Sequence, residues 1–134
     1  MFEFLRRKGP GKPEMEKRRA GRLGEEAAAR YLKKKGYRIL ARNVLYKGGE
    51  LDIVARNGKA LVFVEVKARA EGAMVPATQA VDRAKARRVI RAARIYLAEH
   101  PEETGPARFD VVAIDGENVT HMEGAFDAEY PYKR

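Results

Sequence analysis

The sequence predicts a single-domain α/β sandwich, a mixed β-sheet with a central hairpin flanked by helices. Three observations predict it. Residues 49–67 alternate with the period of two expected for a strand pair around an Asn-Gly turn. Helical periodicity precedes this hairpin at 14–35 and follows it at 78–99. A β-branched stretch then returns at 108–114, giving the order helix, three strands, helix, one or two strands.

Residues 1–13 read as a flexible basic arm, with Arg6, Arg7, Lys8 and Lys12 set among Gly9, Pro10, Gly11 and Pro13. The domain proper is expected at 14–122, followed by a C-terminal tail at 123–134 whose Phe126, Tyr130 and Tyr132 fold back or meet a partner. In the first helix, Ala20, Leu23, Ala27 and Tyr31 share an apolar stripe and Gly36 supplies the stop. Residues 37–45 read as a strand, and Lys47-Gly48-Gly49 turns the chain into the hairpin.

An Asn57-Gly58 loop pairs Arg56 with Lys59, Val54 with Leu61, Asp52 with Phe63 and Glu50 with Glu65. One face then carries Leu51, Ile53, Val62, Val64 and Val66. The other carries Val54, Leu61 and Phe63, then Glu50, Asp52, Glu65 and Lys67. Directly opposed like charges destabilise a sheet, and neighbouring carboxylates raise one another's pKa. A divalent cation resolves the conflict, since hard ions bind a few carboxylates together with phosphate oxygens and water. Lys67 lies two residues beyond Glu65, suited to orient or deprotonate a water. The competing reading is a solvated polar hairpin end in which Lys67 neutralises Glu65.

Residues 68–77, with Gly72 and Pro76, read as a loop beside this site, bringing Arg69 and Gln79 near a substrate. The helix at 78–99 has an apolar side built from Val81, Ala84, Ile90, Ala92, Ala93, Ile95, Tyr96 and Leu97. Arg83, Arg87, Arg91 and Arg94 form a second stripe, flanked by Lys85 and Arg88, that suits phosphate contacts; a solvated face is the alternative. Asp110, on the strand at 108–114, either orients a basic residue or forms a structural salt bridge. His100 and His121 are solitary and are expected at the surface.

Lys and Arg total 28 against 19 acidic residues, a net charge of +9 that suits nucleic acid or another anionic surface, besides serving solubility. There are no cysteines, which excludes disulfides and thiolate metal sites and is compatible with a reducing cytoplasm, the expected location. No apolar run reaches the roughly 18 residues of a membrane helix, and charge follows Met1-Phe2 too soon for a signal peptide. No membrane partner is therefore expected. No P-loop, dinucleotide fingerprint or Ser-His-Asp constellation competes.

An Asp on one strand followed by Glu-X-Lys on the next resembles the PD-(D/E)XK, or restriction-endonuclease-like, superfamily. More specifically, the chain resembles the YraN family of small bacterial endonuclease-like proteins. Its matching segments are Gly21-Arg22-Leu23-Gly24-Glu25-Glu26, Gly36-Tyr37, Ala41-Arg42-Asn43, Gly49-Glu50-Leu51-Asp52-Ile53-Val54, Phe63-Val64-Glu65-Val66-Lys67-Ala68-Arg69 and Arg108-Phe109-Asp110-Val111-Val112. No proline precedes Asp52, where the superfamily name has one.

The resemblance implies a restriction-endonuclease-like sandwich and an Mg²⁺- or Mn²⁺-dependent DNA endonuclease. It implies Asp52, Glu65, the Val66 carbonyl and Glu25 as metal ligands, with Lys67 handling the attacking water. Glu50 falls at a recurrent family position. By analogy with junction-resolving relatives, branched DNA and a homodimer are the expected substrate and assembly. The alternatives are a non-catalytic nucleic-acid-binding protein and a DNA-processing adaptor that keep the nuclease fold.

Overall fold

The computed structural model describes residues 12–69 and 82–132. Helix α1 (Lys12–Lys34) leads into strands β1 (Arg38–Tyr46), β2 (Gly49–Asn57) and β3 (Ala60–Arg69). Helix α2 (Arg83–Glu99) follows, then β4 (Ala107–Asp115), β5 (Asn118–Phe126) and a 3-10 turn at Tyr130–Tyr132. The strands form one five-stranded sheet in the order β1-β2-β3-β4-β5. All neighbours are antiparallel except β3 and β4, which run parallel with α2 as their crossover. This is the predicted single-domain α/β sandwich, consistent with a restriction-endonuclease-like fold.

The helices cover opposite faces. On one side Val54, Leu61, Phe63, Phe109, Val111 and Phe126 pack against Ala86, Val89, Ile90, Ala93 and Tyr96 of α2. On the other, Ile53, Ala55, Val62, Val64, Val112 and Ile114 pack against Ala28, Ala29 and Leu32 of α1. Leu61 to Glu65 of β3 are therefore buried without alternation, as a central strand covered on both faces requires.

Several expectations need correction. The β2–β3 loop is Gly58-Lys59, since Asn57 pairs with Ala60, Arg56 with Leu61 and Val54 with Phe63. Gly58 has φ 58° and Lys59 has no positive φ, so the loop is the Gly-X form with its left-handed residue first, not Asn-Gly. The ladder is displaced by two residues, which preserves the faces near the turn. On α1, Leu23 is 62% exposed; the buried stripe runs Gly24, Ala28, Leu32 instead. Asp82 has extended backbone and caps α2 by accepting the Lys85 N–H at 2.7 Å, so that helix begins at Arg83 rather than 78, and Ala84 is exposed.

Residues 1–11 of the expected arm and most of the expected 68–77 loop lie outside the described residues. Of the segment 123–134, Glu123 to Phe126 complete β5, while Tyr130 packs against the α2-side core.

Candidate active site

The site forms where β2 and β3 part. Their ladder ends at Ile53 and Val64. Immediately beyond, Asp52 Oδ2 accepts the Val66 N–H at 2.8 Å, so a side chain satisfies a donor that the ladder leaves. Alternation breaks at the same point: Ile53 faces α1, but Leu51 joins Val54 in the α2-side core. The expectation that Leu51 shares a face with Ile53 is thereby overturned, because strict period two requires an unbroken ladder.

Glu65 is 4% exposed, and its Oε2 is buried with no hydrogen-bond partner. It lies within hydrogen-bonding reach of Asp52. Burial, then the Asp52 charge, pushes the Glu65 carboxyl up to about 8, against the pull of Lys85 and Lys67. Burial also raises Asp52, although the Val66 N–H favours its ionised form. The pair therefore retains a proton near neutral pH.

Lys85 completes this cluster. Its Nζ lies 2.5 Å from Glu50 Oε1 and 3.7 Å from Glu65 Oε1. Burial opposes charge on this lysine, but the three carboxylates outweigh it and its pKa is raised. The Lys85 hydrogen bond in turn lowers Glu50. The expected register opposes Glu50 to Glu65, but the ladder ends at Ile53 and Val64 before reaching them. The two carboxylates share a lysine from α2 instead, which sequence spacing set beside the phosphate-facing stripe. Two local features position it. The Asp82 cap fixes the first turn of α2. Gly49 lets β2 run close beneath that helix, where an added Cβ would fall 2.5 Å from the Arg88 carbonyl oxygen.

From the opposite face, α1 brings Glu25. Gly24 permits the approach, since a Cβ there would lie 2.5 Å from Ala68 Cβ. Glu25 is half-buried, and burial followed by the Asp52 charge raises its carboxyl, while an Asn43 side-chain hydrogen bond lowers it. Asn43 has φ 53°, a left-handed conformation that Asn tolerates better than most residues. Lys67 is half-buried on β3 and close enough to Glu65 to favour its charged form. The structure thus brings together Glu25, Glu50, Asp52, Glu65, Lys67 and Lys85. Asn43 and the inward role of Lys85 are its additions. An Asn at a strand's polar end carries no metal signal in sequence, and helical spacing alone does not show how far a lysine reaches.

Among the described residues, no three His, Cys, Asp or Glu side chains converge as a ready-made metal nest. Mg²⁺ does not need one, because it commonly takes one or two carboxylates and completes its shell with water and phosphate. The hard oxygens of Asp52 and Glu65, one of them orphaned, fit such an ion.

The other expected residues lie elsewhere. Arg69 ends β3, exposed, with its guanidinium on the Ala68 carbonyl at 3.1 Å. Arg83, Arg87, Arg91 and Arg94 are exposed along α2. Gln79 lies outside the described residues. Asp110 is fully buried in a separate network. It accepts from Arg108 at 2.8 and 3.0 Å, from His121 Nε2 at 2.7 Å and from the Gly124 N–H at 3.0 Å. His121 is therefore no surface residue; its side chain is 2% exposed and lies edge-on to Tyr31 and Tyr37. His100 is half-buried, stacked on Tyr96 with ring centroids 3.9 Å apart. Among the described residues, no helix is long and apolar enough to cross a membrane.

Comparison with known proteins covers the segment that builds this site. The model for the family described as "Uncharacterised protein family UPF0102" matches residues 24–114. A UPF0102 protein of Symbiobacterium thermophilum is 49% identical over 98 residues, covering 73% of this chain and 83% of the relative. One from Janthinobacterium sp. (strain Marseille) is 42% identical over 117 residues, covering 87% and 94%. Another, from Kosmotoga olearia, is 48% identical over 106 residues, covering 78% and 90%. With its motifs in order and these relatives matching along most of both lengths, the chain belongs to the UPF0102 (YraN) family.

Proposed function

We propose that this chain hydrolyses phosphodiester bonds in DNA, using Mg²⁺ or Mn²⁺ held by Asp52 and Glu65. The observation that carries this reading is the Glu65 Oε2 atom, buried and without a partner beside a second buried carboxylate. Such an arrangement holds a proton and leaves a buried acceptor unsatisfied until a cation completes it. Glu25 and the Val66 carbonyl are the further candidate ligands. When bound, the ion supplies Lewis-acid polarisation of the phosphoryl group, a lowered water pKa and the charge that lets both carboxylates ionise.

The chain's own groups supply the rest. Lys67 orients the attacking water beside Glu65. Lys85 fixes Glu50 and Glu65 and offsets their charge. The arginines of α2 hold the DNA backbone without reading sequence. Branched DNA and a homodimeric assembly belong to the same proposal, by analogy with junction-resolving relatives.

A second reading, a binding protein without turnover, draws support from Lys85, which already supplies a positive charge to Glu50 and Glu65. The two separate in one experiment. End-labelled linear, flapped and four-way-junction DNA is incubated with and without Mg²⁺ or Mn²⁺, using wild type, Asp52→Asn and Lys67→Ala. Metal-dependent cutting lost in both variants supports the hydrolase. Equal, salt-sensitive binding by all three with no cutting under any condition supports the binding protein.

A further inference from the structure

Outside the carboxylate centre, α2 and the C-terminal turn enclose an open cleft of about 390 Å³ lined by Arg87, Arg88, Arg91, Arg94, Gly48 and Tyr132. All four arginines are exposed, and none forms an ion pair with a described carboxylate. Arg91 is aimed by the Lys47 carbonyl, which its Nε reaches at 3.0 Å. The Arg87 guanidinium lies 5.9 Å from the Tyr132 ring centroid, and Tyr132 is 63% exposed. Phosphate donors and an accessible aromatic ring therefore stand side by side.

A duplex backbone needs only the donors; the ring has no use for it. Unpaired nucleotides use both, with phosphates on the basic groups and bases stacked on aromatic rings. The cleft also adjoins the carboxylate centre, since Gly48 is two residues from Glu50. From Lys85 to Arg94, α2 advances about 13.5 Å, a span of roughly four nucleotides at ~3.4 Å per stacked step.

We infer that this cleft holds a single-stranded segment of DNA running from the cleavage centre, with phosphates on Arg88, Arg91 and Arg94 and one base stacked on Tyr132. The inference rests on the hydrolase reading and gives it a substrate class: DNA with an unpaired strand at a duplex end or branch. Arg87 is the positioning residue that holds the Tyr132 ring from its other side.

Binding of labelled oligothymidylate and of a blunt duplex is measured for the full chain at fixed salt without divalent metal. The proteins are wild type, Tyr132→Ala, Tyr132→Phe and Arg94→Ala, each with its melting temperature. Tyr132→Ala is expected to weaken oligothymidylate binding about tenfold, the loss of one stacked base. It should leave duplex affinity and melting temperature unchanged, and Tyr132→Phe should bind as wild type does. Three results overturn the inference: no effect of Tyr132→Ala, an equal loss for both DNAs, or displacement by poly-glutamate as effective as by oligothymidylate. Cutting by wild type with no Tyr132 effect removes this site alone. Tyr132-dependent binding without cutting in any metal supports the stacking site while removing the hydrolytic reading beneath it.

Discussion

Asp52 reaches across the mouth of the hairpin to Val66, accepting its N–H at 2.8 Å where the β2–β3 ladder has ended. The same carboxylate lies against Glu65, whose Oε1 is 3.7 Å from Lys85 Nζ of α2. One side chain thus closes the sheet and forms one wall of the candidate metal centre. Structural and chemical roles can be separated there by substitution.

Asp52→Asn keeps an acceptor for Val66, whereas Asp52→Ala leaves that half-buried donor unpaired. Chemical denaturation is expected to show Asp52→Ala less stable than Asp52→Asn by about 1–3 kcal/mol. Both should lose metal-dependent cleavage by more than the ~10–100-fold that outer-shell groups typically contribute to a metal site.

Stability without metal should fall as pH rises. Glu65 is raised from 4.5 to about 8 in the folded chain, so between those values the folded state holds a proton that the unfolded state has released. The raised Asp52 acts in the same direction. Thermal unfolding in chelator should therefore show a melting temperature that drops across this window, with a shallower drop in Glu65→Gln. Mn²⁺ should raise the melting temperature of wild type most at the upper end of the window, and that of Glu65→Gln little.

The sequence made the sandwich of one sheet between two helices legible through hydrophobic period, and it placed Asp52, Glu65 and Lys67 together. The side-chain faces near the turn survived a wrong loop position because the displacement was two residues, not one. Leu51 was illegible because the ladder breaks beside it, an event that pattern alone does not encode. Leu23 misled because Gly24, invisible to an apolar count, is where α1 meets β3. The partners of Lys85 and His121 are illegible for a related reason. Each is held by a carboxylate elsewhere in the sequence, Glu50 and Asp110 respectively, and such pairings exist only once the chain has folded.

Lys85→Met should destabilise the chain by about 2 kcal/mol, the scale of a hydrogen bond to a charged group, because Glu50 and Glu65 lose their shared counter-charge. The loss should be largest at high pH, where Glu65 ionises, and Mn²⁺ should restore part of it. Denaturation curves at two pH values, with and without Mn²⁺, test this.

Gly24→Ala should cost about 1–3 kcal/mol through overpacking against Ala68 and should displace Glu25 with its helix. If Glu25 assists the centre, Mn²⁺ affinity falls in parallel. Gly21→Ala, where an added Cβ meets nothing within 4 Å, is the control on the same helix.

Asp110 should matter to folding and not to cleavage. Burial opposes its charge, but Arg108, the Gly124 N–H and His121 outweigh burial and lower its pKa. Its stabilisation is therefore present above the unfolded value of 3.8 and lost as pH falls through the lower folded value. Asp110→Asn should cost about 3 kcal/mol at neutral pH. It should also flatten the acid limb of the stability profile and leave cleavage per folded molecule unchanged.

The most direct measurement is calorimetric titration of Mn²⁺ into the full chain near pH 7, repeated in two buffers of different ionisation enthalpy. If Asp52 and Glu65 hold one proton between them until a cation replaces it, wild type binds Mn²⁺ and releases about one proton, while Asp52→Asn and Glu65→Gln do not bind. Absence of binding by wild type, or binding that neither substitution alters, would contradict a metal centre built on these two carboxylates.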